Sequence, residues 1–245
     1  MRCLKGIFFD LDDTLISTSA AMNAALLATL PLLPNQNIQT LTNALADSYQ
    51  ALWGYGTPGY TALKTLPTPE LRRCLTNEAL SRLGIQDAAL TAAMMERYAQ
   101  AEKIALQPLP GVRETLEKLQ PHFPLGIITN GPSHIQREKL AQVGLATYFS
   151  VVIADADFGA PKPDPELFAY AAKQLELSPS ELLFVGDSSS ADVAGANTSG
   201  WISVYLGTET CLEAAFTISR LEELLQLPPL QETKRPCIPT QGRRY

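Results

Sequence analysis

Cysteine, net positive charge and long apolar runs are what this sequence has little of. Its four cysteines, Cys3, Cys74, Cys211 and Cys237, fall without metal-ligand spacing. That argues against a cysteine-built metal site and fits reduced, structural thiols in a cytosolic protein. Lysine and arginine number 19 against 25 acidic residues, for a net charge of −6, and the pI is near 5.0. A chain so acidic is a poor binder of a nucleic-acid backbone. A small phosphorylated substrate needs only local positive charge and is not excluded. No apolar stretch approaches the length of a membrane span. Met1-Arg2-Cys3-Leu4-Lys5 leads directly into an apolar strand, so no signal peptide is expected.

What is present is enough for a core domain and a smaller second unit: 245 residues, 46% of them apolar. Short apolar runs predict strands over 5–10, 125–129, 151–154, 182–186 and 201–206. Helices fit between them. Ser133 with Gln136 predicts a capping box for a helix that ends near Gly144. Asp164 predicts a cap with Pro165 at the first helical position. Ser178, Pro179 and Glu181 repeat that logic. A further helix after Asp192 should stop near Gly200. Such alternation predicts an α/β fold with a doubly wound parallel sheet. Residues 17–105 interrupt it with Ala/Leu-rich runs over Ser19–Leu30, Ile38–Trp53, Glu70–Leu83 and Asp87–Leu106, separated by turn signals at Pro31 to Pro34 and Gly54 to Gly59. They read as an inserted helical bundle. The polar, basic segment 229–245 reads as a loose tail.

Four polar clusters sit just past these strands or in their loops. Asp10-Leu11-Asp12-Asp13-Thr14-Leu15 follows the first strand. Side chains two apart in an extended segment point the same way, so Asp10 and Asp12 can face one pocket. Carboxylates this close resist joint ionisation unless something positive sits among them. The second cluster is Thr129-Asn130-Gly131. The third is Pro161-Lys162-Pro163-Asp164-Pro165, one lysine held between prolines. The fourth is Gly186-Asp187-Ser188-Ser189-Ser190-Ala191-Asp192. Open parallel sheets bind ligands at the carboxyl ends of their strands, so the four clusters imply one shared site.

Taken in order, D-L-D-D-T, T-N-G, K-P-D-P and G-D-x-x-x-x-D resemble the haloacid dehalogenase (HAD) superfamily over about residues 5 to 206. The resemblance implies a Rossmann-like core over 1–16 and 106–228 and a helical cap over 17–105, leaving 229–245 as the tail. It also implies a phosphatase that uses Mg²⁺. Asp10 would be the nucleophile and carry an aspartyl-phosphate. Asp12 would protonate the leaving alcohol and then activate water. The metal would take the Asp10 carboxylate, the Asp12 backbone carbonyl and Asp187, with Asp192 holding ligands or waters in place. Thr129 would hydrogen-bond the phosphoryl group, helped by backbone N–H groups around Asn130. Lys162 would offset the charge of Asp10 and the phosphate. The expected partner is a small phosphorylated metabolite such as a nucleoside monophosphate, with no nucleic-acid polymer and no membrane. The expected assembly is a monomer or homodimer, and the expected compartment is the cytoplasm.

Each residue also has a plainer reading. Lys162 taken alone is a solvated loop lysine, Thr129 and Asn130 end a strand, and Asp192 favours a helix dipole. None of these explains why all of them fall at strand ends in family order. His122, His134, Ser188 and Asp13 receive no role. Tyr49, Trp53, Tyr55 and Tyr60 form either an aromatic wall for a flat leaving group or the packing of a small bundle. Three rival functions share the scaffold. A hexose phosphomutase would return the phosphate to its substrate and require glucose 1,6-bisphosphate. A 2-haloacid dehalogenase attacks carbon without a metal and typically lacks a carboxylate where Asp12 stands. A non-catalytic phosphometabolite sensor would not need Asp12 at all.

Overall fold

The computed structural model describes residues 4–33, 35–53, 63 and 65–232. Tyr55 and Tyr60, the turn at Gly54 to Gly59, Pro34 and residues 233–245 lie outside the described residues, as do the side chains of Tyr49 and Trp53. In chain order the strands are β1 (Gly6–Phe9), β2 (Leu125–Thr129), β3 (Val151–Ala154), β4 (Leu182–Gly186), β5 (Ile202–Leu206) and β6 (Phe216–Ile218). The helices are α1 (Thr18–Thr29), α2 (Ile38–Trp53), α3 (Thr68–Arg82), α4 (Ala88–Ala105), α5 (Val112–Leu119), α6 (Ser133–Gln142), α7 (Asp155–Phe158), α8 (Pro165–Gln174), α9 (Ala194–Thr198) and α10 (Pro228–Glu232). None of the described helices is long and apolar enough to cross a membrane.

Contacts divide the chain into two compact units. The first comprises Met1–Leu15, Leu109–Asn130 and Leu145–Tyr245. Its strands form one parallel sheet in the order β3-β2-β1-β4-β5-β6. This is the Rossmann-like, doubly wound arrangement, with its direction reversing around β1. Phe8, Ile128, Phe184, Leu167, Phe168 and Trp201 pack on one face. Ile7 and Phe9 have the opposite parity and are also fully buried, so both faces of β1 are covered. Close packing explains a glycine on the neighbouring strand. A Cβ at Gly126 would come 2.2 Å from the Phe8 ring.

The caps separate local logic from its limits. Asp164 accepts from the Glu166 N–H with Pro165 at the first position, as expected. Glu181 and Ser178 form their box, although the turn that follows is a single 3₁₀ turn. The box expected at Ser133 does not form. α6 starts at Ser133 itself after Pro132, and Ser133 Oγ instead accepts from Arg137 Nε. A side chain already inside the first turn is misplaced to receive the N–H three residues on. β6 escaped the sequence reading because three residues show no period; its pairing comes from the edge of β5. Residues 228–232 are helical, with Leu230 buried, so order continues past the expected start of the tail.

The second unit comprises Ile16–Pro108 and Gly131–Gly144. Leu26, Leu33, Leu41, Leu80 and Met94 form its core. Asp87 caps α4 by accepting from the Ala89 and Leu90 N–H groups. α6 belongs here by its contacts. Ile135 packs with Leu71, Thr68 Oγ1 donates to Glu138, and Gln142 Nε2 donates to the Lys103 carbonyl.

Candidate active site

The sheet ladder sets the first acid. The Asp10 N–H donates to the Val185 carbonyl at 2.9 Å, so the β1–β4 pairing continues one residue past β1. This fixes Asp10 at the carboxyl edge of the two central strands, where it is 7% exposed. Leu11 turns into the core and is fully buried, while Asp12 is half-buried. The chain then reverses through Asp13, whose φ of 58° lies in the left-handed region. Aspartate tolerates that region better than most side chains.

The fourth cluster supplies two more carboxylates. Asp187 follows β4 and accepts from Thr14 Oγ1 at 3.3 Å. Past it the backbone makes a wide turn in which the Val193 N–H reaches the Ser188 carbonyl. This π-type turn swings Asp192 back toward the strand end. Its Oδ2 accepts from the Ser188 N–H at 3.0 Å. The return brings the carboxylate against Gly186, where a Cβ would lie 2.2 Å from Asp192 Oδ2. Only glycine leaves that space. Ser188, which received no role from sequence, builds the turn by accepting from the Ala191 N–H.

Lys162 joins the clusters. Its Nζ donates to Asp10 Oδ1 at 2.5 Å and to Asp192 Oδ1 at 2.7 Å, and it lies 5.3 Å from the centre of the Phe184 ring. The solvated-loop reading of this lysine is thus excluded, because its side chain is 3% exposed. Thr129 ends β2 and is buried. Asn130 does something the sequence did not suggest: its Oδ1 accepts from the Lys162 N–H at 2.8 Å, and its Nδ2 donates to the Lys162 carbonyl at 3.3 Å. The structure therefore brings Asp10, Asp187, Asp192, Lys162 and Asn130 into one hydrogen-bonded or closely spaced group at the strand ends.

Its electrostatics are unbalanced. Burial pushes the Asp10 carboxyl up to about 7; Lys162 opposes that shift, and Asp192 and Asp12 add to it. Asp187 is also raised, by burial first and then by Asp192. Lys162 is held protonated: burial disfavours its charge, but Asp10 and Asp192 together outweigh that and raise its pKa. One ammonium thus pairs with two carboxylates, and a third, that of Asp187, lies beside them. Oxygen atoms of Asp10, Asp187 and Asp192 all lie within 4.8 Å of one another. Mg²⁺ takes oxygen ligands at about 2.0–2.1 Å, so opposite ligands stand roughly 4.2 Å apart. The donor type and the spacing both fit that ion.

Thr14 is the polar residue that sequence reasoning passed over. It is fully buried and its hydroxyl is spent on Asp187. The available signal was a hydroxyl placed between three acids and an apolar pair.

The model of the haloacid dehalogenase-like hydrolases matches residues 4–200. The glyceraldehyde 3-phosphate phosphatase of Methanopyrus kandleri is 29% identical over 82% of this chain and 83% of its own length. The phosphoglycolate phosphatase of Shigella dysenteriae is 31% identical over 83% of this chain and 81% of its own. The magnesium-bound crystal structure of the HAD-hydrolase YfnB from Bacillus subtilis is 25% identical, with a TM-score of 0.68 over 92% of this chain and 98% of that one. The chain belongs to the haloacid dehalogenase-like hydrolases.

Proposed function

We propose that this hydrolase is a Mg²⁺-dependent phosphatase that acts on a small soluble phosphomonoester through an aspartyl-phosphate at Asp10. The observation that carries the reading is the buried Lys162 ammonium set between Asp10 and Asp192, with Asp187 alongside. A nucleophile, a fixed positive charge and a remaining acidic pocket are what phosphoryl transfer asks of a protein. The similar phosphatases noted above support the same class.

The Asp10 carboxylate, the Asp12 backbone carbonyl and Asp187 would hold the ion. When bound, it supplies charge neutralisation among the acids and the incoming phosphate. The chain's own groups do the rest. An Asp10 carboxylate oxygen attacks phosphorus while the bond to the leaving oxygen breaks. Asp12 gives its proton to that oxygen and an alcohol departs. Asp12, now ionised, takes a proton from water; the water oxygen attacks phosphorus and the bond to Asp10 breaks. Inorganic phosphate leaves and both aspartates are restored. The Thr129 hydroxyl and the Asn130 backbone N–H donate to phosphoryl oxygens. Lys162 lowers the repulsion between Asp10 and the phosphate, and Asp192 holds Lys162 in place.

The test is phosphate release from a panel with Mg²⁺ or with excess EDTA. The panel includes glyceraldehyde 3-phosphate, phosphoglycolate, pyrimidine mononucleotides, sugar phosphates and flavin mononucleotide. Release should need Mg²⁺ and return when it is restored. Full phosphate release after exhaustive chelation would reject the Mg²⁺ assignment, whereas no phosphate release from any member, with halide release from a 2-haloacid, would favour carbon–halogen hydrolysis.

A further inference from the structure

The loop that carries Lys162 has few means of holding itself. Pro161 and Pro163 have no N–H, so Lys162 carries the only backbone donor of the three residues. That donor goes to Asn130 Oδ1, and the Lys162 carbonyl receives Asn130 Nδ2. One side-chain amide thus satisfies both main-chain groups of one lysine, as a neighbouring strand would. Asn130 is itself fixed, because it follows Thr129 at the end of β2, inside the sheet ladder. Downstream, the Asp164 N–H returns to the Pro161 carbonyl at 3.0 Å and Asp164 caps α8.

From this we infer that Asn130 is a positioning residue, whose side chain holds the backbone of Lys162 so that the ammonium reaches Asp10 and Asp192. The inference rests on the role given to Lys162 in the proposed phosphatase. Both polar ends of the Asn130 side chain are engaged by Lys162, so the side chain positions the loop while the phosphate contact proposed above stays with the Asn130 backbone N–H. The lysine gains directionality from this clamp. An ammonium on a flexible stem is a poorly aimed charge; two hydrogen bonds at its own peptide groups shorten the mobile lever to the side chain alone. Without them, the prolines fix φ but the Lys162 main chain loses both of its hydrogen bonds to the end of β2.

The experiment combines a double-mutant cycle with hydrogen exchange. Turnover of p-nitrophenyl phosphate is measured for the parent, Asn130→Ala, Lys162→Met and the double variant. Asn130→Ala should lower kcat by roughly 10–100-fold, the scale of a misplaced catalytic group. In the Lys162→Met background the same change should cost less than about threefold, since no ammonium remains to be aimed. Exchange mass spectrometry reads the single backbone amide of Pro161-Lys162-Pro163. It should be protected in the parent and in Asn130→Asp, which keeps the acceptor, and fast in Asn130→Ala. Asn130→Asp should therefore recover part of the turnover. A full multiplicative loss in the double variant, or a Lys162 amide that stays protected in Asn130→Ala, would overturn the inference. Should Lys162→Met abolish measurable turnover, the exchange result decides. Undiminished turnover in Lys162→Met would instead sink the role of Lys162 in the phosphatase reading, which leaves the two failures distinguishable.

Discussion

Two ion-paired regions of this chain use the same chemistry to opposite ends. In the helical unit, Arg72 pairs with Glu102 while its guanidinium lies 6.0 Å from the centre of the Tyr98 ring. Both partners keep some solvent, with side-chain exposures of 33% and 18%. At the strand ends, Lys162 and Asp192 keep almost none. Water and salt screen the first pair, so it adds little beyond local order. The second group cannot be screened, and its excess negative charge is left to whatever enters the pocket. A buried pair with unequal charge is a poor stabiliser. It is a good receptor. The difference between the regions therefore lies in burial and charge balance rather than in residue type.

The comparison breaks most sharply at Asp10. Asp10→Asn keeps the shape and removes the attacking charge, so turnover should fall by about three orders of magnitude or more. Melting temperature should hold or rise, because a buried acid is gone from a crowded site. Substantial turnover by folded Asp10→Asn protein would end the covalent mechanism.

Asp12→Asn should come next. The variant cannot carry the proton, so losses of roughly 10²–10⁴-fold are expected on alkyl phosphates. Activated aryl or acyl phosphates should lose less, and a trapped phospho-enzyme should persist longer. Equal losses on both substrate types, with no longer-lived intermediate, would count against the acid/base role.

Gly186→Ala tests whether burial fixes the receptor. The new methyl would displace Asp192 from Lys162 and from the Ser188 N–H. Breaking one side of a buried pair costs about 3–5 kcal/mol. Chemical denaturation should show a loss of that order, and a loss below about 1 kcal/mol would mean that Asp192 has room to move.

The pH dependence sharpens the contrast further. In metal-free protein, burial raises the Asp10 carboxyl to about 7 from its ordinary value of 3.8. Between those values the folded state binds a proton that the unfolded state lacks. Stability should therefore rise as pH falls from about 7 toward 4, the reverse of the usual carboxylate trend. Asp187, also raised, acts in the same sense. In Asp10→Asn the slope should flatten without vanishing. Parallel melting curves for the two proteins across that range would refute the assignment.

The smallest effect belongs to the helical unit. Arg72→Ala should cost less than about 1 kcal/mol in urea unfolding and should shrink with added salt. A much larger, salt-independent cost would show that the two regions are less different than their exposures suggest.

Much of this was legible in the sequence because strand ends concentrate chemistry. The runs ending at Phe9, Thr129, Ala154 and Gly186 are apolar on both faces, and the polar residue that follows each marks where the sheet stops. Family order then gathered the motifs. What stayed illegible depends on partners far away in sequence. Asn130 looks like the end of a strand until its amide is seen on the Lys162 backbone. Thr14 is one hydroxyl between acids and an apolar pair until Asp187 lies beside it. β6 exists only because β5 offers an edge. Ser133 carried a correct local signal, but α6 starts one residue earlier than that signal requires.

The central position of β1 has a consequence for the chain before it folds. Gly6-Ile7-Phe8-Phe9 is made before both of its partners, β2 and β4, which follow more than a hundred residues later. During synthesis it is a bare hydrophobic segment with two open edges, the kind that seeds aggregation. Asp10, Asp12 and Asp13 stand immediately after it, where natural sequences place gatekeeper charges. Charges in that position are expected to oppose self-association of the strand while it waits for neighbours. Neutralising them should give a native state that melts no lower and a refolding yield, read by light scattering, that is worse.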